Sequence, residues 1–562
     1  MTLFEEILRA RGLENNATRA SFLKPDYDLG HNPFLLPDME QAVERLERAR
    51  REQNRITIYG DYDIDGLTAT TVLLDAFESF GFENVQTFIP NRFVEGYGLT
   101  IDAVEKIAKT GADLIVTVDC GSLSEKEIVR ANQLGIDIIV TDHHNVAPVQ
   151  PPAVAVINPK RLLQDHPNDY EGLILKSDAT ELYPFLDLPG VGVAFKLVQA
   201  LQTRLDGLAK GQEKWLLDLV ALGTVCDVVR LEDENRMHVY WGMEVLKKAR
   251  RPGLRALMAV AGVEPTNVKA RSLGFGLGPR MNASGRLDTA ESTLELLTAN
   301  DPIQALEKAR LLDEMNARRR AEQDKILKQA LIQAESYKND PVIVVSSAGW
   351  NHGIIGIVAA KLLEKFKKPT YVLEEMGGES KGSARSYGDF SAADAIRASD
   401  DIITKGGGHK LAAGVTLPTK NIADFRQRVN QHFRSLNLKP QPPLLLAEED
   451  VVVTNFAQVN EKLVEQIVQL EPFGSANPEP IIKINAAAVT SLRRMGADQQ
   501  HLKLAVQDDR GQVIEMLAFN AEPNWFVEPG EKVAAWFTPT INEWRGRRSV
   551  EGRLVRLEVA QD

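Results

Sequence analysis

Cysteine is nearly absent: Cys120 and Cys226 are the only two in 562 residues. That excludes a disulfide framework and a thiolate-rich zinc site, and it makes a reducing cytoplasm the expected compartment. Long hydrophobic runs are missing, so no membrane span is expected. The start, Met1-Thr2-Leu3-Phe4-Glu5-Glu6, lacks the cationic and apolar regions of a signal peptide. Positive charge is in deficit, with 66 Lys and Arg against 78 Asp and Glu and a net charge of −12. So acidic a chain is no general polyanion binder; a polyanion must be met by a local basic patch or by bound cations. Repeats and low-complexity tracts are absent as well, and the length calls for several domains.

What is present is alternation. Residues 1–50 read as a charged, helical N-terminal extension with a Pro/Asp/Gly-rich break at 25–38. From residue 51 to about 300, short apolar runs (Ile56–Tyr59, 85–89, Leu114–Val118, Ile136–Val140) alternate with helical patterns at 67–80, 101–109 and 124–134. Buried strands separated by helices predict an α/β domain with a doubly wound parallel sheet. Residues 190–260 read as mostly helical. Residues 301–340 hold one long helix, whose pattern over 303–337 lacks Gly and Pro. A second α/β domain follows over 341–438, then a linker marked by Pro440, Pro442 and Pro443. Short strand-like runs over 444–562 predict a C-terminal β-barrel of the OB type.

The most telling stretch is Asp61-Tyr62-Asp63-Ile64-Asp65-Gly66, where an apolar strand ends in three alternating carboxylates. Alternate side chains at a strand end share one side, and clustered negative charges repel unless cations sit among them. Two further strands end alike, in Asp119-Cys120-Gly121 and in Thr141-Asp142-His143-His144. A fourth segment, Gly223-Thr224-Val225-Cys226-Asp227, follows an apolar helix. One Asp at a strand end is ordinarily a helix cap; three strand ends bearing carboxylates and imidazoles are not explained that way. Carboxylates with one or two imidazoles suit Mn²⁺ or Mg²⁺ better than Zn²⁺, and Cys120 and Cys226 read as small buried hydrophobes. Four or five carboxylates exceed the charge of one divalent ion, so a pair of ions is expected; such pairs promote in-line attack at phosphate.

These four segments resemble, in order, the motifs of the DHH phosphoesterase superfamily. Three more bring the resemblance to its RecJ family, bacterial exonucleases that degrade single-stranded DNA from the 5′ end. They are Gly274-Phe275-Gly276-Leu277-Gly278-Pro279-Arg280-Met281-Asn282-Ala283-Ser284-Gly285-Arg286, Gly406-Gly407-Gly408-His409-Lys410 with the residues to Gly414, and the run from Glu471 through Asn477 to Pro480. The resemblance implies that residues 51–300 are the DHH catalytic domain, 341–438 the DHH-associated (DHHA1) domain that closes over substrate, and 444–562 a single-strand-binding OB-fold. It implies Asp63, Asp65, Asp119, His143 and Asp227 as ligands of two Mn²⁺ or Mg²⁺ ions, with Asp119 bridging. Asp61 is left open between a direct ligand and a supporting role. Asp142 is expected to orient a histidine, and His144 to face the scissile phosphate, donate a proton or serve as a hydrogen-bonded structural histidine.

In the second lobe, the turn at His352 opens a helix, and such helix starts bind phosphate. Ser383 and Arg385 match the family's Ser-x-Arg for the 5′-terminal phosphate, and Arg280 matches a substrate-binding arginine. Arg92, Asn282, Gly407, Gly408 and His409 complete the expected phosphate and DNA contacts, the glycine run being read as flexible, so that its backbone N–H groups can approach an anion, with a mere tight turn as the alternative. Trp525, Phe526, Trp536, Phe537 and Trp544 are candidate base-stacking aromatics, most of them expected in the barrel core. Arg318-Arg319-Arg320 and Arg545-Gly546-Arg547-Arg548 are candidate backbone contacts. The resemblance implies a monomeric enzyme of DNA repair and recombination, working with a single-strand-binding protein and a recombination helicase. The alternatives are another DHH phosphoesterase, acting on oligonucleotides or cyclic dinucleotides, and a non-catalytic replication scaffold.

Overall fold

The five strands β1 (Ile56–Gly60), β2 (Val85–Phe88), β3 (Leu114–Val118), β4 (Asp137–Thr141) and β5 (Ala155–Ile157) form a parallel sheet in the order 2-1-3-4-5. They belong to a computed structural model that describes residues 1–96, 98–176, 181–438, 448–496 and 498–560. β1 and β3 are buried along their whole length, as strands covered on both faces must be. The helices Ile64–Ser79, Ile101–Ala108 and Glu125–Gln133 make the crossovers. Strand order reverses between β1 and β3, where such sheets open a crevice at their carboxyl ends.

Two compact units divide the chain. His31–Val229 and Trp241–Leu444 form one; Met1–Gly30, Arg230–Tyr240 and Leu445–Asp562 form the other. In the first unit, the helices Gly190–Gln202 and Leu217–Cys226 pack on Ile64–Ser79. The expected long helix spans Pro302–Ser336, capped by Asp301, and buries a stripe that includes Ala305, Ala309, Leu312, Arg319, Ile326 and Ala330. Its spacing of three and four residues keeps that stripe on one face.

A second sheet in this unit runs Lys405–Gly408, Ala412–Pro418, Glu379–Arg385, Thr370–Met376, Ile343–Ala348, with only the last pair parallel. The glycine run is the exposed edge strand of this sheet, paired with Ala412–Pro418, and not the tight turn of the alternative reading. Glycines contribute no side chain that would forbid this, and an edge tolerates them best.

In the other unit, Ile482–Met495 pairs with both His501–Gln507 and Lys532–Trp544, and Val513–Ala518 runs beside Arg547–Val559. Five strands thereby close into the expected barrel. Leu3, Phe4, Ile7 and Leu8 of the first helix share its core with Leu502, Leu504 and Phe537. The expected N-terminal extension is therefore divided: residues 1–30 serve the barrel, whereas the helix Met39–Arg51 belongs to the unit of the parallel sheet. Pro440, Pro442 and Pro443 lie outside the described residues. No helix among the described residues is long and apolar enough to cross a membrane.

Candidate active site

The strand ends deliver their side chains to one place. Asp63 caps the helix Ile64–Ser79 through Gly66 N–H at 3.2 Å. Gly66 is needed there, because a Cβ would sit 2.6 to 2.8 Å from the Asp61 backbone. Asp119 follows β3 in a left-handed backbone (φ 62°), a conformation that Asp tolerates better than most residues and that functional sites often retain. Its N–H donates to the Thr141 carbonyl at 2.9 Å, locking the ends of β3 and β4 together.

Three sets of potential ligand atoms result: Asp61, Asp63 and Asp119; Asp65, His143 and Asp227; and Asp119, His143 and His144. Within each set the atoms lie within 4.8 Å of one another, and Asp119 is common to two of them. His143 Nε2 lies 3.1 Å from Asp119 Oδ1, 3.6 Å from Asp227 Oδ2 and 3.8 Å from Asp65 Oδ2.

Asp65 is gripped from behind. Gly190 N–H donates to its Oδ2 at 2.6 Å and Val191 N–H to its Oδ1 at 2.8 Å, both from the start of the helix Gly190–Gln202. A helix N-terminus favours a carboxylate there. Only glycine fits at 190, since a Cβ would come 2.6 Å from Asp119 Cβ. Asp142 accepts from the N–H groups of Ser122, His143 and His144 and lies 2.9 Å from His144 Nδ1. It therefore orients His144, not His143. Asn158 braces the same loop, donating to Ser122 Oγ and to the His144 carbonyl.

The electrostatics call for cations. Burial first, then neighbouring carboxylates, push Asp61 and Asp119 well above the usual carboxylate range, Asp65 to about 7 and Asp227 to about 9. Asp61 Oδ1 and His143 Nε2 are buried without a hydrogen-bond partner. Burial lowers His143 to about 3, so its ring is neutral and able to ligate. His144 is raised despite burial, because Asp142 favours its charged form, and Asp142 is held low in return. Buried oxygens and a neutral imidazole facing one another fit hard divalent ions such as Mn²⁺ or Mg²⁺. Burial also raises the Cys120 and Cys226 thiols, in keeping with small buried hydrophobes.

Beside the carboxylates stands a cationic pocket. Arg92 lies over the Tyr62 ring at 4.2 Å. Arg286 donates to the Gly353 carbonyl at 3.0 Å and is lowered to about 10 by burial and by the charges of Arg92, Arg319 and Arg385. Arg385 Nη1 donates to Ser383 Oγ at 3.1 Å, and both side chains press against Gly356 of the helix His352–Phe366. His352 is fixed by Glu374, 2.8 Å from its Nδ1, and meets the Phe93 ring at 4.8 Å. Among the described residues none of these four arginines pairs with a carboxylate, so the pocket is built for an anion.

The other expected contacts fall differently. Arg280 pairs with Asp313 at 2.8 Å and donates to the Gly276 carbonyl, so its guanidinium is already engaged. Asn282 is half-buried, four residues before Arg286 on the same helix. Gly407 and Gly408 are exposed on the edge strand, and His409 Nδ1 lies 3.3 Å from Asn145 Nδ2, next to His144. Arg319 is buried against Asn316 and Gln323, whereas Arg318 and Arg320 are exposed. In the barrel, Trp536 is buried between Lys483 and Arg556, Phe537 is core, and Trp525 and Phe526 pack against the core. The side chain of Trp544 lies outside those described. Arg548 pairs with Glu461 and Glu465.

Sequence reasoning missed Gly190, Asn158 and the pocket role of Arg286. Pro189-Gly190-Val191-Gly192 before an apolar helix is a legible anion-type helix start. Asn158 offers no comparable signal.

A 2-1-3-4-5 sheet rimmed by carboxylates and imidazole, joined to a mixed α/β lobe and a closed barrel, defines a DHH-type protein with an added OB domain. Family models match accordingly: DHH family, N-terminal domain, over residues 55–224; DHHA1 domain over 339–435; and RecJ OB domain over 452–556. The single-stranded-DNA-specific exonuclease RecJ of Bacillus subtilis is 34% identical over 569 residues, covering 100% of this chain and 68% of its own. The Escherichia coli counterpart is 34% identical over 541 residues, covering 92% and 89%. A crystal structure of Thermus thermophilus RecJ with Mn²⁺ superposes with a TM-score of 0.81 at 29% identity, covering 100% of this chain and 76% of that one. The chain belongs to the RecJ family.

Proposed function

We propose that this protein is a two-metal-ion exonuclease that hydrolyses single-stranded DNA from the 5′ end and acts in repair and recombination. The observation that carries the reading is two adjoining ligand sets, linked by the contact of His143 with Asp119, beside four arginines that pair with no carboxylate among the described residues. One set, Asp61, Asp63 and Asp119, would hold one ion; the other, Asp65, His143 and Asp227, would hold the second. Divalent ions there would supply an activated water and take up charge at the scissile phosphate. The Gly190 helix start keeps Asp65 aimed. His144, whose charged form Asp142 favours, is set to hold the phosphate or to pass a proton to the leaving oxygen. Ser383, Arg385 and Arg286, with Arg92, would hold the 5′-terminal phosphate, and His352 and His409 would line its approach.

The whole-length likeness to RecJ and the matched OB domain count against another DHH phosphoesterase, and the complete acidic set counts against a scaffold. The domain limits drawn from sequence beyond residue 50, a cytoplasmic location, a monomeric state, and work with a single-strand-binding protein and a recombination helicase belong to the same proposal. The test is a time course with end-labelled single-stranded DNA in Mn²⁺. Release of mononucleotides from the 5′ end, with duplex left intact, is expected; release from the 3′ end, or cleavage of dinucleotides alone, would overturn the reading.

A further inference from the structure

The helix Leu217–Cys226 ends one residue before Asp227, and the chain then turns through a left-handed backbone at Val228 (φ 63°). A β-branched residue seldom accepts that conformation, and Val228 is also 68% exposed. Against the end of this helix lies a π-helical turn, Ser272–Leu277. Such wide turns recur at functional sites. On this one Phe275 is 79% exposed.

The turn is fastened to the Asp227 segment. Cys226 Sγ lies 3.8 Å from the Leu273 carbonyl, and Val225 would touch a Cβ at Gly274 at 3.6 Å. Gly278 packs so closely that a Cβ would approach Cys226 Sγ at 2.8 Å. Gly274 and Gly276 flank Phe275, so no neighbouring side chain on either side covers its ring. Arg271 stands 5.7 Å from that ring. A large bare aromatic tied rigidly to a candidate metal ligand, with a cation beside it, matches what a single strand offers: a flat base next to a phosphate.

We propose that Phe275 is the stacking platform for a base of the single strand adjoining the scissile phosphate, and that Arg271 meets the neighbouring phosphate. This rests on the nuclease reading above. Every base has a π-face, so such a platform favours stacked, base-bearing strands without choosing a sequence.

The test compares the Mn²⁺-loaded wild type with Phe275→Leu and Phe275→Trp on single-stranded DNA. The strands are either intact or carry one abasic nucleotide at successive positions from the 5′ end. Phe275→Leu is expected to raise KM about tenfold with kcat within about twofold, and Phe275→Trp to stay near wild type. At one position an abasic nucleotide should cost the wild type about tenfold and the leucine variant nothing further. Because the ring is exposed, the variants should melt as the wild type does. The proposal is overturned if Phe275→Leu matches the wild type on intact strands, or if its deficit persists at every abasic position. Failure of the wild type to degrade intact strands would instead overturn the nuclease reading.

Discussion

Asp119 is buried among Asp61, Asp63, Asp65 and Asp227, and without cations its carboxyl is pushed far above the ordinary range. Asp119→Asn replaces a carboxyl that burial and its acidic neighbours make hard to ionise with a neutral group of the same shape, so the chelator-treated variant is expected to melt no lower than the wild type. Its Mn²⁺-induced rise in Tm should largely vanish and its cleavage rate fall by about a thousandfold, as removal of a central electrostatic group does in other sites. Differential scanning fluorimetry with and without Mn²⁺ checks the first two outcomes, and single-turnover cleavage the third. The same cluster sets a pH trend. Asp65 near 7 and Asp227 near 9 lie above the unfolded value of about 3.9, so the folded, metal-free protein holds protons that the unfolded chain has released. That stability is fully present below about pH 4 and is lost as pH rises through the folded values. Between about pH 6 and about pH 9 the metal-free protein should therefore melt progressively lower. Mn²⁺ should offset this increasingly toward high pH, because ligation requires the deprotonated forms. Melting scans in chelator and in Mn²⁺ across that range would show both slopes.

Strand ends and helix starts do the positioning. Three carboxylates closely following an apolar run made Asp61, Asp63 and Asp65 legible, although the strand stops at Gly60, Asp63 caps the next helix and Asp65 lies in its first turn, so strand alternation is not what gathers them; the apolar runs of β3 and β4 marked Asp119 and His143. The helix start at Gly190 was not legible as part of the site, because its partner Asp65 lies 125 residues away in sequence. At the glycine run 406–408 local composition permits both a tight turn and an edge strand, and pairing with Ala412–Pro418 decided between them. The strand Glu379–Arg385 carries Ser383 and Arg385 on one face, two residues apart. For Arg385→Ala, the loss on 5′-phosphorylated DNA should exceed that on 5′-hydroxyl DNA by about tenfold, the scale of one charged hydrogen bond. Steady-state kinetics on both ends measures the difference, and equal losses would place the terminal phosphate elsewhere.

Across the whole molecule, one unit is assembled from three distant segments, and Arg236 ties them. It stacks on Phe22 at 3.6 Å, donates to the Phe22 carbonyl, and reaches the carbonyls of Leu470, Glu471 and Pro472. Asn477 closes the same knot, donating to Leu470 and Pro472 and accepting from Arg11. The segment from Glu471 to Pro480 is thus a structural fastening. Arg236→Ala removes the Phe22 stacking contact and the hydrogen bonds that join the three segments, and should cost about 3 kcal/mol, roughly 10 °C in the melting of this unit. The Mn²⁺-induced rise in Tm should survive, since the candidate ligands lie in the other unit. Calorimetry that resolves the two units, in chelator and in Mn²⁺, tests both outcomes.

By itself the sequence determined the element order, the parallel sheet, the long helix, the barrel and the candidate carboxylates. Those follow from local periodicity and from residue chemistry that few other arrangements explain. Only the tertiary structure decided that Asp142 serves His144, that Gly190 grips Asp65, that Arg280 is spent on Asp313 while Arg286 joins three other arginines, and that residues 1–30 belong to the barrel. Each of these depends on the distance between residues far apart in the chain, and distance is set by packing rather than by neighbouring sequence.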